Sequence, residues 1–178
     1  QEVVFKKASQ VGGSEAGFNW VGYIMHHAPG PTMMVQPTVE LAKRASRQRL
    51  DPMVQECPVL LQQVLDIKAR DSANTMMMKD FPGGTLVLTG ANSAAGLCSM
   101  PVKNLMLDEI DRYPADVDGE GITVALARKR TATFPRRKVF TVSTPTVKGA
   151  SAIDAEFEES TQNLCYVPCP HCETMQTL

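Results

Sequence analysis

Residues 6–15, KKASQVGGSE, nearly spell a phosphate-binding loop. That loop is usually written G-x-x-x-x-G-K-[ST], a glycine-rich turn whose backbone N–H groups cradle phosphates. Aligned from Lys7 to Ser14, the second glycine (Gly12) and the hydroxyl (Ser14) are in place. Lys7 stands where the first glycine belongs, and Gly13 stands where the lysine belongs. A loop that curls round an anion brings its entry near its exit. A long ammonium stem at Lys7 can therefore reach the same phosphates from the other side, with Lys6 as the fallback. Gly12 and Gly13 let N–H groups face inward, the following helix adds the positive end of its dipole, and Ser14 would put its hydroxyl on Mg²⁺. Taken alone, the loop is equally well read as a coincidence.

Working outward, residues 3–6 predict a short strand entering the loop, and residues 14–27 a helix leaving it. Glu15 lies in that helix's first turn, and Pro29 stands past its end. His26 and His27 suit the negative end of the dipole better than a metal, and Trp20 and Met25 are core candidates. Residues 32–36 form a short apolar run. Residues 39–49 are helical in pattern, with Pro52 ending them. Residues 53–64 predict another helix, interrupted near Pro58. Residues 75–81 and 85–89 flank Pro82-Gly83-Gly84 and predict a hairpin, with Met76, Met77 and Met78 covered on both faces. Residues 90–101 read as a loop of small residues. Residues 104–107 and 138–142 predict buried strands, and residues 121–133 and 151–159 helices, the last with an acidic outer face. Short apolar strands alternating with helices imply an α/β domain with a mostly parallel central sheet.

In such sheets ligands bind beyond the carboxyl ends of the strands, and two further polar motifs fall there. Asn104-Leu-Met-Leu-Asp108-Glu109 is a strand delivering two carboxylates. Asp108 would hold Mg²⁺, and Glu109 would polarise an attacking water as general base. The plain alternative is a solvated turn. Val142-Ser143-Thr144-Pro145 ends the next strand. Its hydroxyl pair can sense a terminal phosphate, or form an ordinary turn. Three motifs in this order, each at a predicted strand end, specify far more than any one of them.

At 43% hydrophobic, the 178 residues can bury a core. A net charge of −1 gives no global basic field for nucleic acid. No run of apolar residues is long enough to span a membrane. Five cysteines, three of them in the last fourteen residues, favour metal over disulfides in a reducing compartment. Cys165, Cys169 and Cys172 resemble half of a zinc ribbon; a Zn²⁺ site needs four ligands, and with His171 the spacing is cramped. Cys57 and Cys98 are expected to be buried or half-buried thiols.

The chain resembles the large terminase subunit of lambda-like tailed phages. The resemblance is carried by KASQVGGSE, VQPTVELAKR, FPGGTLVLTGANSAAGL, SMPVKNLMLDEIDRYPADVDGEG, RTATF, VFTVSTPTVKGAS and VPCPHC. It implies a RecA-like P-loop NTPase core and ATP hydrolysis that pumps double-stranded viral DNA into a procapsid. Lys7, Gly12, Gly13 and Ser14 would bind phosphate, Ser14 and Asp108 Mg²⁺, and Glu109 would be the catalytic carboxylate. Ser143 and Thr144 fall in a motif that couples hydrolysis to movement. Also implied are a small terminase subunit, a portal, a homo-oligomeric ring without membrane attachment, and the host cytoplasm. One of Arg128, Arg130, Arg136 or Arg137 would reach the next subunit's phosphate.

The resemblance also implies that residues 1–160 are the motor core, incomplete at its N-terminus. Residues 161–178 would begin a zinc-ribbon-like segment or linker, with the family's nuclease domain absent. Cys98 stands where relatives often carry Arg. Two other readings stay open. A DExx-type helicase is suggested by PTVELA at residues 37–42 and the acids at 108–111, against the lysine it keeps after the second glycine. A nucleotide-binding assembly module without turnover is suggested by Cys98.

Overall fold

The computed structural model describes residues 1–64 and 74–177. Six strands form one sheet: β1 (Glu2–Lys6), β2 (Thr32–Gln36), β3 (Met78–Phe81), β4 (Gly84–Gly90), β5 (Asn104–Asp108) and β6 (Lys138–Ser143). Their order is β1-β6-β5-β2-β4-β3, and every pairing is parallel except β3 with β4. Among the described residues β1 pairs on one side only, and Val3 and Phe5 on it are exposed. The α/β expectation with a mostly parallel sheet holds.

Both faces of the sheet are covered, as parallel strands require. Alternation along the strands divides the core. Met34 and Met106 pack on one side with Phe18, Val21, Ile24 and Met25 of α1 (Gly13–His27). Met33, Val35, Leu105 and Leu107 pack on the other with Leu126 and Ala127 of α6 (Thr123–Lys129) and Ile153 of α7 (Ala152–Glu158). Trp20 is half-buried and meets Phe140 edge-on at 6.1 Å.

Pro52 does not end the second helix. α2 (Val39–Ala45) passes into a wider π turn over Ser46–Leu50 and on into α3 (Asp51–Glu56). The Asp51 N–H bonds to Ser46 O, one residue further back than in an α-helix. That shift falls where the Pro52 ring would otherwise meet the preceding turn. Cys57, held extended by the proline after it (φ −99°, ψ 105°), separates α3 from α4 (Pro58–Gln63).

The hairpin turns at Pro82-Gly83, with Gly83 at φ +83°. Its first strand is shorter than expected: Met76 and Met77 precede β3, and all three methionines are only half-buried. The fully buried neighbour is Lys79, whose ammonium donates to Thr75 O at 2.9 Å and pairs with Asp51 at 3.0 Å. The predicted small-residue loop contains α5 (Ala94–Leu97), capped by the Ser93 hydroxyl.

Candidate active site

β1, β5 and β6 all end on the same rim of the sheet, and their termini build one cavity of about 340 Å³. It is lined by Lys7, Gly12, Gly13, Ser14, Glu109 and Thr144, with Arg49 and Arg112 at its margin. The loop entering α1 carries two left-handed residues, Gln10 at φ 61° and Gly12 at φ +80°. The first turn of α1 thus lines the cavity through Gly13, Ser14 and Glu15, and the first N–H groups of a helix have no partner within it.

The displaced cation lies inside. Lys7 has a side chain 6% exposed; its Nζ donates to Glu109 Oε1 at 2.8 Å and to Thr144 Oγ1 at 2.9 Å. Its stem passes over Gly13, where an added Cβ would meet Lys7 Cδ at 2.3 Å. The two departures from the usual loop are thus one arrangement: the space a side chain at 13 would take is filled by the stem from 7. Lys6 points elsewhere, to Asp154 at 2.7 Å and the Phe157 ring, and so cannot substitute.

Asp108 closes β5. It accepts from Ser14 Oγ at 2.8 Å and from Gln36 Nε2 at 3.0 Å. Sequence reasoning missed Gln36. The parallel register sets Val35 beside Leu107, so the next residue of β2 meets the acid; a polar terminus on an otherwise apolar run was the available signal. Glu109 takes the left-handed conformation (φ 57°, ψ 52°), fastened by its N–H to Val142 O at 2.8 Å. Such strain in a non-glycine residue costs about 1–3 kcal/mol and collects at functional sites. Here it turns the carboxylate back over the cavity.

Burial pushes the Asp108 carboxyl above the ordinary aspartate range; Gln36 and Ser14 offset part of the rise, Glu109 adds to it and Lys7 opposes it. The folded chain therefore keeps this proton to higher pH than the unfolded chain does. The stability cost of ionising Asp108 is absent below the unfolded value, grows between the two values, and is full above the folded one. Asp108→Asn, which mimics the protonated acid, is expected to melt higher than the parent at pH 7. Thermal unfolding without nucleotide should show that margin shrinking as the pH enters the acid range. A margin independent of pH would rule out titration of Asp108 as its cause.

The β6 motif divides. Thr144 faces the cavity on Lys7, whereas Ser143 is fully buried and accepts from Asp111 N–H at 3.3 Å. The Asp111 carboxylate accepts from Thr146 N–H at 2.8 Å and Ile153 N–H at 2.8 Å, tying the acid turn to the loop after β6 and to the start of α7. Burial raises its carboxyl, but donors from Ile153, Ser151 and Thr146 outweigh burial and hold it low.

Several other residues singled out in the sequence lie away from the cavity. Cys98 is half-buried at the end of α5, its thiol 3.7 Å from Glu120. Arg128 forms a two-pronged pair with Glu156 at 2.7 and 2.6 Å, so α7's acidic face is partly engaged. Arg136 and Arg137 precede β6 at the opposite rim, and Arg130 O bonds to Val102 ahead of β5. Of the three tail cysteines, Cys169 and Cys172 lie together in side-chain hydrogen-bond contact. The short hairpin of β7 (Tyr166–Pro168) and β8 (Met175–Thr177) puts Cys165 at its base and Cys169 and Cys172 at its turn. Among the described residues no three His, Cys, Asp or Glu gather to hold a metal. Cys165, Cys169 and Cys172 are thus not gathered as one set of three among the described residues.

The chain is 27% identical over 174 residues to the terminase large subunit of Enterobacteria phage P21, covering 97% of the chain and 27% of that protein. It is 27% identical over 180 residues to the terminase large subunit of Escherichia phage lambda, covering 100% of the chain and 28% of that protein. The chain thus spans roughly a quarter of these relatives. In fold it is similar to the large terminase ATPase domain of Thermus phage P74-26, with TM-score 0.63 and 13% identity over 99% of this chain and 72% of that one. It is also similar to the large terminase of another thermophilic bacteriophage in complex with ADP, with TM-score 0.55 and 16% identity over 79% of this chain and 32% of that one. The model of the phage terminase large subunit gpA, ATPase domain, matches residues 1–178, and the chain belongs to that family.

Proposed function

We propose that this chain is the ATP-hydrolysing module of a large terminase subunit, which drives double-stranded viral DNA into a procapsid. The observation that carries the reading is the meeting of Lys7, Ser14, Glu109 and Thr144, delivered by three separate strand ends, on one cavity, with Asp108 buried directly behind Ser14. In this reading the N–H groups at Gly12 and Gly13 bind the phosphate chain, and Lys7 neutralises its terminal charge from the front of the loop. The hydroxyl of Ser14 and the carboxylate of Asp108 are hard oxygen donors side by side, a set that suits Mg²⁺. A magnesium ion held there would screen phosphate charge and orient the triphosphate.

Glu109 takes the proton of a water aligned with the terminal phosphate. It is freed for this when the phosphate draws Lys7 away. Thr144, bonded to Lys7, is placed to register that shift. Asp111, bonded to the adjoining Ser143, links the acid turn to α7. The partners follow from the same reading: a ring of identical subunits, a small terminase subunit, a portal, and action in the host cytoplasm. Among the described residues no helix is long and apolar enough to cross a membrane.

The test uses the full-length protein with its small subunit, procapsids and linear duplex DNA. ATP-dependent protection of that DNA from nuclease is the expected result. ATP-driven strand displacement without procapsids, and no protection with them, would replace the packaging reading with a helicase.

A further inference from the structure

We propose that Arg49 is a second cationic contact for the nucleotide's phosphate chain, held in reserve by Glu15. The inference rests on the reading that the cavity takes ATP. Arg49 belongs to the π turn between α2 and α3, and π turns inside helices are frequent at functional sites. It lines the cavity formed by the glycine loop. Its Nη2 lies 2.9 Å from Glu15 Oε2, and its guanidinium sits 6.0 Å from the Phe18 ring centroid. Both partners are on α1, and Glu15 directly follows Ser14.

The charges around the cavity explain what this cation is for. Lys7 and Arg112 both face Glu109, at 2.8 and 3.8 Å. Asp51, beside the π turn, is taken by Lys79. That leaves Arg49 and Glu15 as a separate pair at the loop's exit, both about half exposed. An exposed pair of this kind adds little to stability. A triphosphate entering at the start of α1 is a far stronger acceptor than Glu15. It also offers the guanidinium paired oxygens for two parallel hydrogen bonds. Phe18 holds the planar group at the right level while it changes partner. Glu15 and the phosphates thus compete for one guanidinium, and Glu15 sets how tightly nucleotide binds.

The test is equilibrium binding of ATP and of inorganic tripolyphosphate to the full-length protein. Tripolyphosphate has no base or ribose, so it isolates the phosphate contact. Arg49→Ala is expected to weaken both ligands by ~10- to 100-fold, as loss of a charge-assisted bond does, and Arg49→Lys less. Glu15→Gln should tighten both by about 2- to 5-fold. That gain should vanish in the double variant, because Glu15 acts through Arg49. If Arg49→Ala binds tripolyphosphate like the parent while Lys7→Ala loses it, the proposal fails and the cavity assignment stands. Loss of ATP affinity alone would move Arg49 to the base or ribose and also overturn the proposal. A parent protein that binds neither ligand would remove the cavity reading, and this proposal with it.

Discussion

Glu109→Gln lowers the steady-state rate of ATP hydrolysis by about 10²–10⁴-fold, the range for loss of a positioned general base, with ATP affinity nearly unchanged. Glutamine fits the same left-handed backbone site and can still accept the Lys7 hydrogen bond through its amide oxygen. Binding and local packing are therefore kept. It cannot take a proton from water. The split decides the assignment: a fall in kcat without a rise in Kd, measured on full-length protein, identifies a base. A variant that hydrolyses ATP at the parent rate would show that Glu109 only balances the charge of Lys7.

Lys7→Ala has the second large effect, and it acts on binding as well as rate. A charge-assisted bond to phosphate contributes roughly 1.5–3 kcal/mol, so ATP affinity falls about 10- to 100-fold. Hydrolysis falls by roughly a further 10²-fold, because the same ammonium stabilises charge on the departing phosphate. Lys6 cannot compensate while Asp154 and Phe157 hold it on the far side of β1. The substitution also leaves Glu109 without its close partner and opens space over Gly13. Nucleotide titration and turnover, measured together, separate the two losses. Unchanged affinity would return the phosphate role to the backbone N–H groups alone.

Much of this was legible in the sequence because local chemistry and tertiary position agreed. Pro82-Gly83 specified a turn, the apolar runs ending in Asp108 and Ser143 specified strands, and Lys7 announced itself by standing where a glycine belongs. What stayed hidden depended on neighbours distant in the chain. Arg49 belongs to none of the three motifs, and the π turn presents it to α1. Pro52 read as a helix end for the same reason. Gln36 acquires its role from strand register, and Asp111 from partners 32 to 42 residues away. Lys79 is buried against the ordinary preference of lysine because Asp51 and a carbonyl meet it. Among the clustered cysteines, Cys169 and Cys172 share the hairpin turn, while a strand of three residues sets Cys165 apart.

The one-sided pairing of β1 bears on how this polypeptide behaves when handled alone. Among the described residues no strand pairs with the outer edge of β1, so its amide and carbonyl groups there, flanked by the exposed Val3 and Phe5, are a template onto which another extended segment can be stitched. Concentrated samples of the 178 residues would therefore tend toward self-association along that margin. The charged side chains of Glu2 and Lys6 at its two ends are the only brakes the strand itself supplies.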